Sequence, residues 1–257
     1  MIQQDCTTKY PILLVHGFAL RDGKRHRIWG NIVDVLTMRG ARVYVGRHDA
    51  LGTIESNAKQ LALRVDEILA ETGCARVNII AHSKGGLDSR RLVHMDTMAD
   101  KVASITTIGT PHRGLGYVDN LNRRVPGCIF APVGWMVSLL YRIRGDKNPT
   151  FRRTVRGFGT EEMRRFNTQY PDVEGVYYRS YSLIRTDNLR WRHRHIGRFD
   201  GDNDGIVSVE SSKWSGYMGH YSEGIGHSTA IGYRRRKGYD AGAAMVETVS
   251  ELARMGY

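Results

Sequence analysis

Val77-Asn-Ile-Ile-Ala-His-Ser-Lys-Gly-Gly86 sets an apolar run directly against a small-x-Ser-x-small pattern, Ala81-His-Ser-Lys-Gly85, followed by a stretch with helical spacing. The apolar run reads as a buried strand. The abrupt change of pattern predicts a strand-to-helix turn of the nucleophile-elbow kind, with Ser83 at its tip. Small residues are needed at Ala81 and Gly85, because a longer side chain at so sharp a bend would strike the neighbouring strand or helix. Ser83 Oγ is thereby lifted clear of the sheet at the start of a helix. The plain alternative is that Ser83 merely caps that helix.

Outward from this turn, Pro11-Ile-Leu-Leu-Val-His-Gly17, Arg42-Val-Tyr-Val-Gly46 and Val102-Ala-Ser-Ile-Thr-Thr-Ile108 repeat the short apolar form. Between them Ile54, Ala58, Leu61, Ala62, Val65, Ile68 and Leu69 recur at steps of three and four, one apolar stripe on a helix that stops near Gly73. His26 to Met38 and Leu87 to Met98 are further helix candidates. Strands alternating with helices imply an α/β fold with a mostly parallel sheet covered on both faces. From Gly114 to Phe158 the alternation breaks into an arginine-rich stretch around the very apolar Cys128 to Tyr141. That stretch reads as a mobile cap inserted over a pocket or, alternatively, as a buried core helix. Glu161 to Tyr170 is expected to be a helix, Val176 to Ser182 a strand, 183 to 233 loop-rich, and Ala241 to Met255 a closing helix. One domain over residues 1–257, with a lid insertion at about 114–158, is the expectation.

With 41% hydrophobic and 25% charged residues the chain is not disordered as a whole. No run approaches the ~18 to 20 apolar residues of a membrane span, and Met1 to Tyr10 lacks a secretory apolar run. A cytoplasmic protein is expected, or a secreted one if a leader was removed. Cys6, Cys74 and Cys128 are too few and too irregular for a disulfide framework or a zinc cluster. The net charge of 38 − 26 = +12 gathers at Arg21 to Arg27, Arg152 to Arg156, Arg190 to Arg198 and Arg234 to Lys237. None of these clusters falls in a nucleic-acid motif. An anionic lipid surface or an acidic polymer is the expected partner, and plain solubility is the alternative. The oligomeric state is not legible.

A serine nucleophile needs a base, and the base needs an orienting carboxylate; in this architecture they follow in the order Ser, acid, His. Gly201-Asp-Asn-Asp-Gly205 offers Asp202 and Asp204, and Gly224-Ile-Gly-His-Ser228 offers His227. His220, His193 and His195 compete with His227, the last two in a charge run. Leu14-Val-His-Gly-Phe18 has the form of an oxyanion loop, so the backbone N–H groups of Phe18 and Lys84 are the expected donors. Asp200-Gly-Asp-Asn-Asp-Gly205 opens like an EF-hand loop, but its twelfth position is Ser211, not a bidentate Glu. His193 and His195 lack a third zinc ligand.

Taken together, Tyr10-Pro-Ile-Leu-Leu-Val-His-Gly-Phe18, Val77 to Gly86, Thr107-Ile-Gly-Thr-Pro-His-Arg-Gly114, Arg165-Phe-Asn-Thr-Gln-Tyr-Pro171 and Asn203-Asp-Gly-Ile-Val207 resemble the bacterial true lipases, the triacylglycerol lipase family of α/β-hydrolases. The resemblance implies carboxylester hydrolysis through Ser83, with Asp204 as acid and His227 as base, and makes Gly114 to Phe158 the lid region. On a lid, the apolar side chains Ile129, Phe130, Trp135, Met136, Leu139 and Leu140 are expected to cover the substrate pocket when closed. Two features depart from the family pattern. Thr229 stands where calcium-dependent members carry an Asp two residues after the catalytic His, and the possible partner Asp187 would be short of charge, so no metal cofactor is expected. The disulfide of secreted relatives near the acid is also missing. A non-catalytic binding protein on the same fold, and an acyltransferase or thioesterase with the same triad, are the alternative functions.

Overall fold

The computed structural model describes residues 5–23, 28–185 and 191–257. In chain order these form β1 (Ile12–Val15), α1 (Ile32–Met38), β2 (Val43–Val45), α2 (Ile54–Thr72), β3 (Val77–His82), α3 (Lys84–Leu92), α4 (Met98–Lys101) and β4 (Val102–Ile108). There follow α5 (Gly116–Arg124), α6 (Gly127–Ile143), α7 (Phe151–Arg156), α8 (Thr160–Gln169), β5 (Tyr177–Ile184), α9 (Trp191–Asp200), α10 (Val209–Ser212), β6 (Tyr217–Glu223) and α11 (Ala241–Arg254). The six strands make one sheet in the order β2-β1-β3-β4-β5-β6, every pair parallel.

Both faces of the sheet are covered, which is why its central strands read as unbroken apolar runs. In β1, Ile12 and Leu14 enter a core shared with Trp29, Ile32, Leu36, Met245 and Val249 of the α1 and α11 side. Leu13 and Val15, on the opposite face, pack with Ala58, Leu61, Val65 and Ile68 of α2. Of the stripe foreseen for α2, Ala58, Leu61, Ala62, Val65 and Ile68 are buried and the terminal Ile54 and Leu69 half-buried; Thr53 Oγ1 accepts the Ser56 N–H at its start, and Gly73 ends it in the left-handed region.

Several expectations need correction. The helix foreseen from His26 covers Ile32–Met38 among the described residues, and the one foreseen over Leu87 to Met98 starts at the elbow and ends at Leu92. The span 183–233 is not merely loop: it holds α9, α10 and the edge strand β6. Four helices, α5 to α8, stand between β4 and β5. Among them α6 is not a buried core helix: Ile129 is 63% exposed, Trp135 69%, Met136 61% and Ile143 76%. Leu139 and Leu140 are exposed as well, so the apolar surface foreseen as covering a pocket faces outward here. No single helix among the described residues is long and apolar enough to cross a membrane.

Candidate active site

Strand β3 runs straight into α3, and the residue between them, Ser83, has φ 56° and ψ −131°. A positive φ at a residue with a Cβ is costly and persists only where its surroundings over-determine it. Here they do: Ser83 N–H donates to the Ile108 carbonyl at 3.0 Å, and Thr110 Oγ1 donates to the Ser83 carbonyl at 2.7 Å. Close approach explains the small residues around the turn. A Cβ on Gly85 would lie 2.5 Å from the Val15 carbonyl oxygen, and one on Gly17 would lie 2.6 Å from Ser83 Cβ. The loop after β1 is therefore pressed directly against Ser83.

Asp204 and His227 come from two loops at the carboxyl ends of the strands, where open α/β sheets bind ligands. Asp204 is 1% exposed. Its Oδ1 accepts the Ile206 and Val207 N–H groups at 2.9 and 2.8 Å, and its Oδ2 accepts His227 Nδ1–H at 2.6 Å. His227 N–H also donates to the Asp204 carbonyl at 3.1 Å, so the two loops are joined twice. The His227 loop is in turn tied to the elbow: His82 Nε2–H donates to the His227 carbonyl at 3.0 Å, with the two rings 4.4 Å apart. Burial, with the His227 ring alongside, holds His82 well below the usual imidazole range, and it stays neutral.

The competing residues lie elsewhere. Asp202 is exposed, and Asp200 accepts the Gly116 N–H at 3.1 Å. With Asp204 turned to His227, the three acids of the EF-hand-like run have three different environments. His220 Nδ1 meets Ser182 Oγ at 2.7 Å on β6. His193 and His195 fall on α9. Asp187 lies outside the described residues, as do Lys24, Arg25, Arg27 and Arg190 of the basic clusters.

The proposed oxyanion donors are neighbours of Ser83. Lys84 opens α3, where first-turn N–H groups lack helical acceptors. Phe18 follows Gly17, and its ring meets Phe151 and Phe158 at 5.7 Å each. Phe130 of α6 reaches the same aromatic group through Phe151 at 6.0 Å, and Tyr141 Oη donates to the Ala19 carbonyl at 3.2 Å. Helix α6 thus touches the Phe18 loop directly through Tyr141 and reaches it indirectly from Phe130 by way of Phe151.

Beneath the elbow lies a polar network that the sequence reading did not foresee. Lys84 Nζ, 1% exposed, donates to both Asp88 oxygens at 2.6 and 2.8 Å, and Asn57 Nδ2 donates to Asp88 Oδ2 and to the Asp49 carbonyl at 3.0 Å. Burial pulls Lys84 below the usual lysine range and pushes Asp88 up, each opposed by its partner. Asp49 continues the network, accepting the Lys147 and Asn148 N–H groups at 2.7 Å, so the turn after α6 is anchored to the loop that follows β2. Next to this, His16 and His48 stack at 3.8 Å, and the Nε2 of each lies 3.2 Å from the other's backbone carbonyl oxygen.

His16, His48 and Asp22 bring possible ligand atoms within 4.8 Å of one another. The stacking argues against an ion there. An imidazole lone pair lies in the ring plane, and planes only 14° apart and stacked cannot both aim at one metal.

No family model matches the chain. It is 40% identical over 117 residues to a triacylglycerol lipase of Pseudarthrobacter phenanthrenivorans, a match covering 44% of this chain and 36% of that relative. The chain thus spans little more than a third of that curated relative. With a triacylglycerol lipase of Vibrio cholerae it is 32% identical over 235 residues, 80% of this chain and 74% of the relative. The solved Staphylococcus hyicus lipase shares its fold, with a TM-score of 0.73 over 99% of both chains at 16% identity. The Vibrio match takes in most of both sequences, and on its strength the chain belongs to the triacylglycerol lipase family, with the α/β-hydrolase fold that the solved lipase shares.

Proposed function

We propose that the protein hydrolyses lipid esters through an acyl-enzyme on Ser83, with His227 as base, Asp204 as its orienting acid, and the Phe18 and Lys84 N–H groups as oxyanion donors. The observation that carries this reading is the strained Ser83 backbone, φ 56°, at a strand-to-helix turn beside a His227–Asp204 pair at 2.6 Å. Because Nδ1–H is committed to Asp204, His227 offers the lone pair of Nε2. In the first half-reaction Ser83 Oγ adds to the acyl carbon as Nε2 takes its proton, and the two N–H groups meet the oxyanion. Collapse expels the alcohol, which takes that proton from His227. Water then attacks the acyl-enzyme by the same route in reverse, releasing the carboxylate and restoring Ser83. Each proton passes through His227 Nε2: from Ser83 to the departing alcohol in the first half-reaction, and from water to Ser83 in the second.

Residues 114–158 act as the lid in this reading, and the outward apolar face of α6 as its contact with aggregated substrate. An exposed patch carrying Trp135, Met136, Leu139, Leu140 and Ile143 marks an interaction surface. Arg123, Arg124, Arg142 and Arg144 flank it and favour an anionic lipid surface. Through Phe130 and Tyr141, seating of α6 would be felt at the Phe18 loop. Trp135 emission should shift to the blue on adding anionic micelles, and the rate on a sparingly soluble ester should rise above its solubility limit. An unchanged spectrum together with no rate increase would contradict the interfacial reading.

A further inference from the structure

Between the start of α2 and helices α6, α7 and α8 lies an open groove of 1170 Å³, larger than most small-ligand sites. Ile54, Trp135, Met163 and Phe166 give it an apolar wall, and none of Ser83, Asp204, His227 or Phe18 lines it. Its charged rim is unbalanced. Glu55 is bound by Arg91 at 2.6 Å, and Glu162 lies 3.5 Å from Arg165. Arg152, Arg153 and Arg156 also line the groove, and among the described residues none of the three has a carboxylate partner. Arg156 is half-buried at this rim.

We propose that this groove binds a long-chain fatty-acid carboxylate, its head against Arg156 and the neighbouring guanidinium groups and its tail along Trp135, Ile54, Met163 and Phe166. Guanidinium matches a carboxylate with paired donors, and an apolar wall beside it suits a ligand with one charge and one long tail. The choice of carboxylate over another anionic head rests on the ester-hydrolase reading, since that reaction releases it. The site is separate from the catalytic serine, so the released acid has a second place to rest.

Equilibrium dialysis of radiolabelled oleate below its micellar concentration tests this on the full chain, with and without prior fluorophosphonate treatment. Wild-type protein should bind oleate saturably, one per chain and equally after treatment, and bind oleyl alcohol at least 10-fold more weakly. Arg152→Gln/Arg153→Gln/Arg156→Gln should lose at least 10-fold in oleate affinity with an unchanged melting curve. If that triple variant does not fold, Arg156→Gln alone should lose at least 3-fold. Equal affinity for the alcohol, full affinity in the variants, no saturable binding, or binding abolished by the fluorophosphonate would each overturn the proposal. Failure of the fluorophosphonate to react would instead count against the serine-hydrolase reading, leaving the oleate and alcohol arms to judge the groove.

Discussion

Ser83→Ala should fold as the wild type does and lose ~10³ or more in kcat/KM on any ester the protein cleaves. The bonds that fix the elbow use the Ser83 backbone, from its N–H to Ile108 and from Thr110 to its carbonyl, and so survive loss of Oγ. Alanine meets the same steric cost as serine at φ 56°, so the turn should keep its shape. What disappears is the only atom in the scheme that can carry the acyl group. Steady-state assays of purified protein, with a melting curve to verify the fold, check this. A variant keeping a tenth of wild-type activity would refute the assignment.

Asp204→Asn should cost on the order of 10³ to 10⁴ in kcat, while Asp202→Asn should stay within about threefold. Asparagine preserves the size of the side chain but replaces one acceptor with a donor. If the amide NH₂ faces the Ile206 and Val207 N–H groups, donors oppose donors. If it faces His227, the ring must accept at Nδ1 and carry its proton on Nε2, where the base lone pair is needed. Asp202 is exposed, and the carboxylate that His227 Nδ1 meets is that of Asp204. A selective loss at Asp202 would overturn the choice between the two acids.

Much of this fold was legible because its central strands are buried on both sides and are written as continuous apolar runs. Strand β6 was not: it lies at the sheet edge, Gly219 interrupts it, and most of it is exposed or half-exposed, so neither an apolar run nor clean alternation marks it. The apolar stretch of α6 stood out, but its orientation did not. A helix apolar on every side has no stripe to say which face is buried. At the site, Ser83 was readable from local pattern alone, since the elbow is a local structure. The choice between Asp204 and Asp202 was only implied by family resemblance, because partnership with His227 spans 23 positions of chain. The Lys84–Asp88 pair was invisible for a different reason. At i, i+4 on a helix it looks like an ordinary solvated pair, and only the packing of α2 and the Asp49 loop over it makes it a buried one.

The central claim is that Ser83, and no other residue, forms the covalent intermediate. Its most direct test is mass spectrometry of the native protein after reaction with a fluorophosphonate, with the modified peptide mapped. The account predicts one adduct per chain, on Ser83, formed rapidly by native protein and not by heat-denatured protein or by Ser83→Ala. An adduct on another residue, labelling of Ser83→Ala at the wild-type rate, or no adduct on correctly folded protein would contradict it.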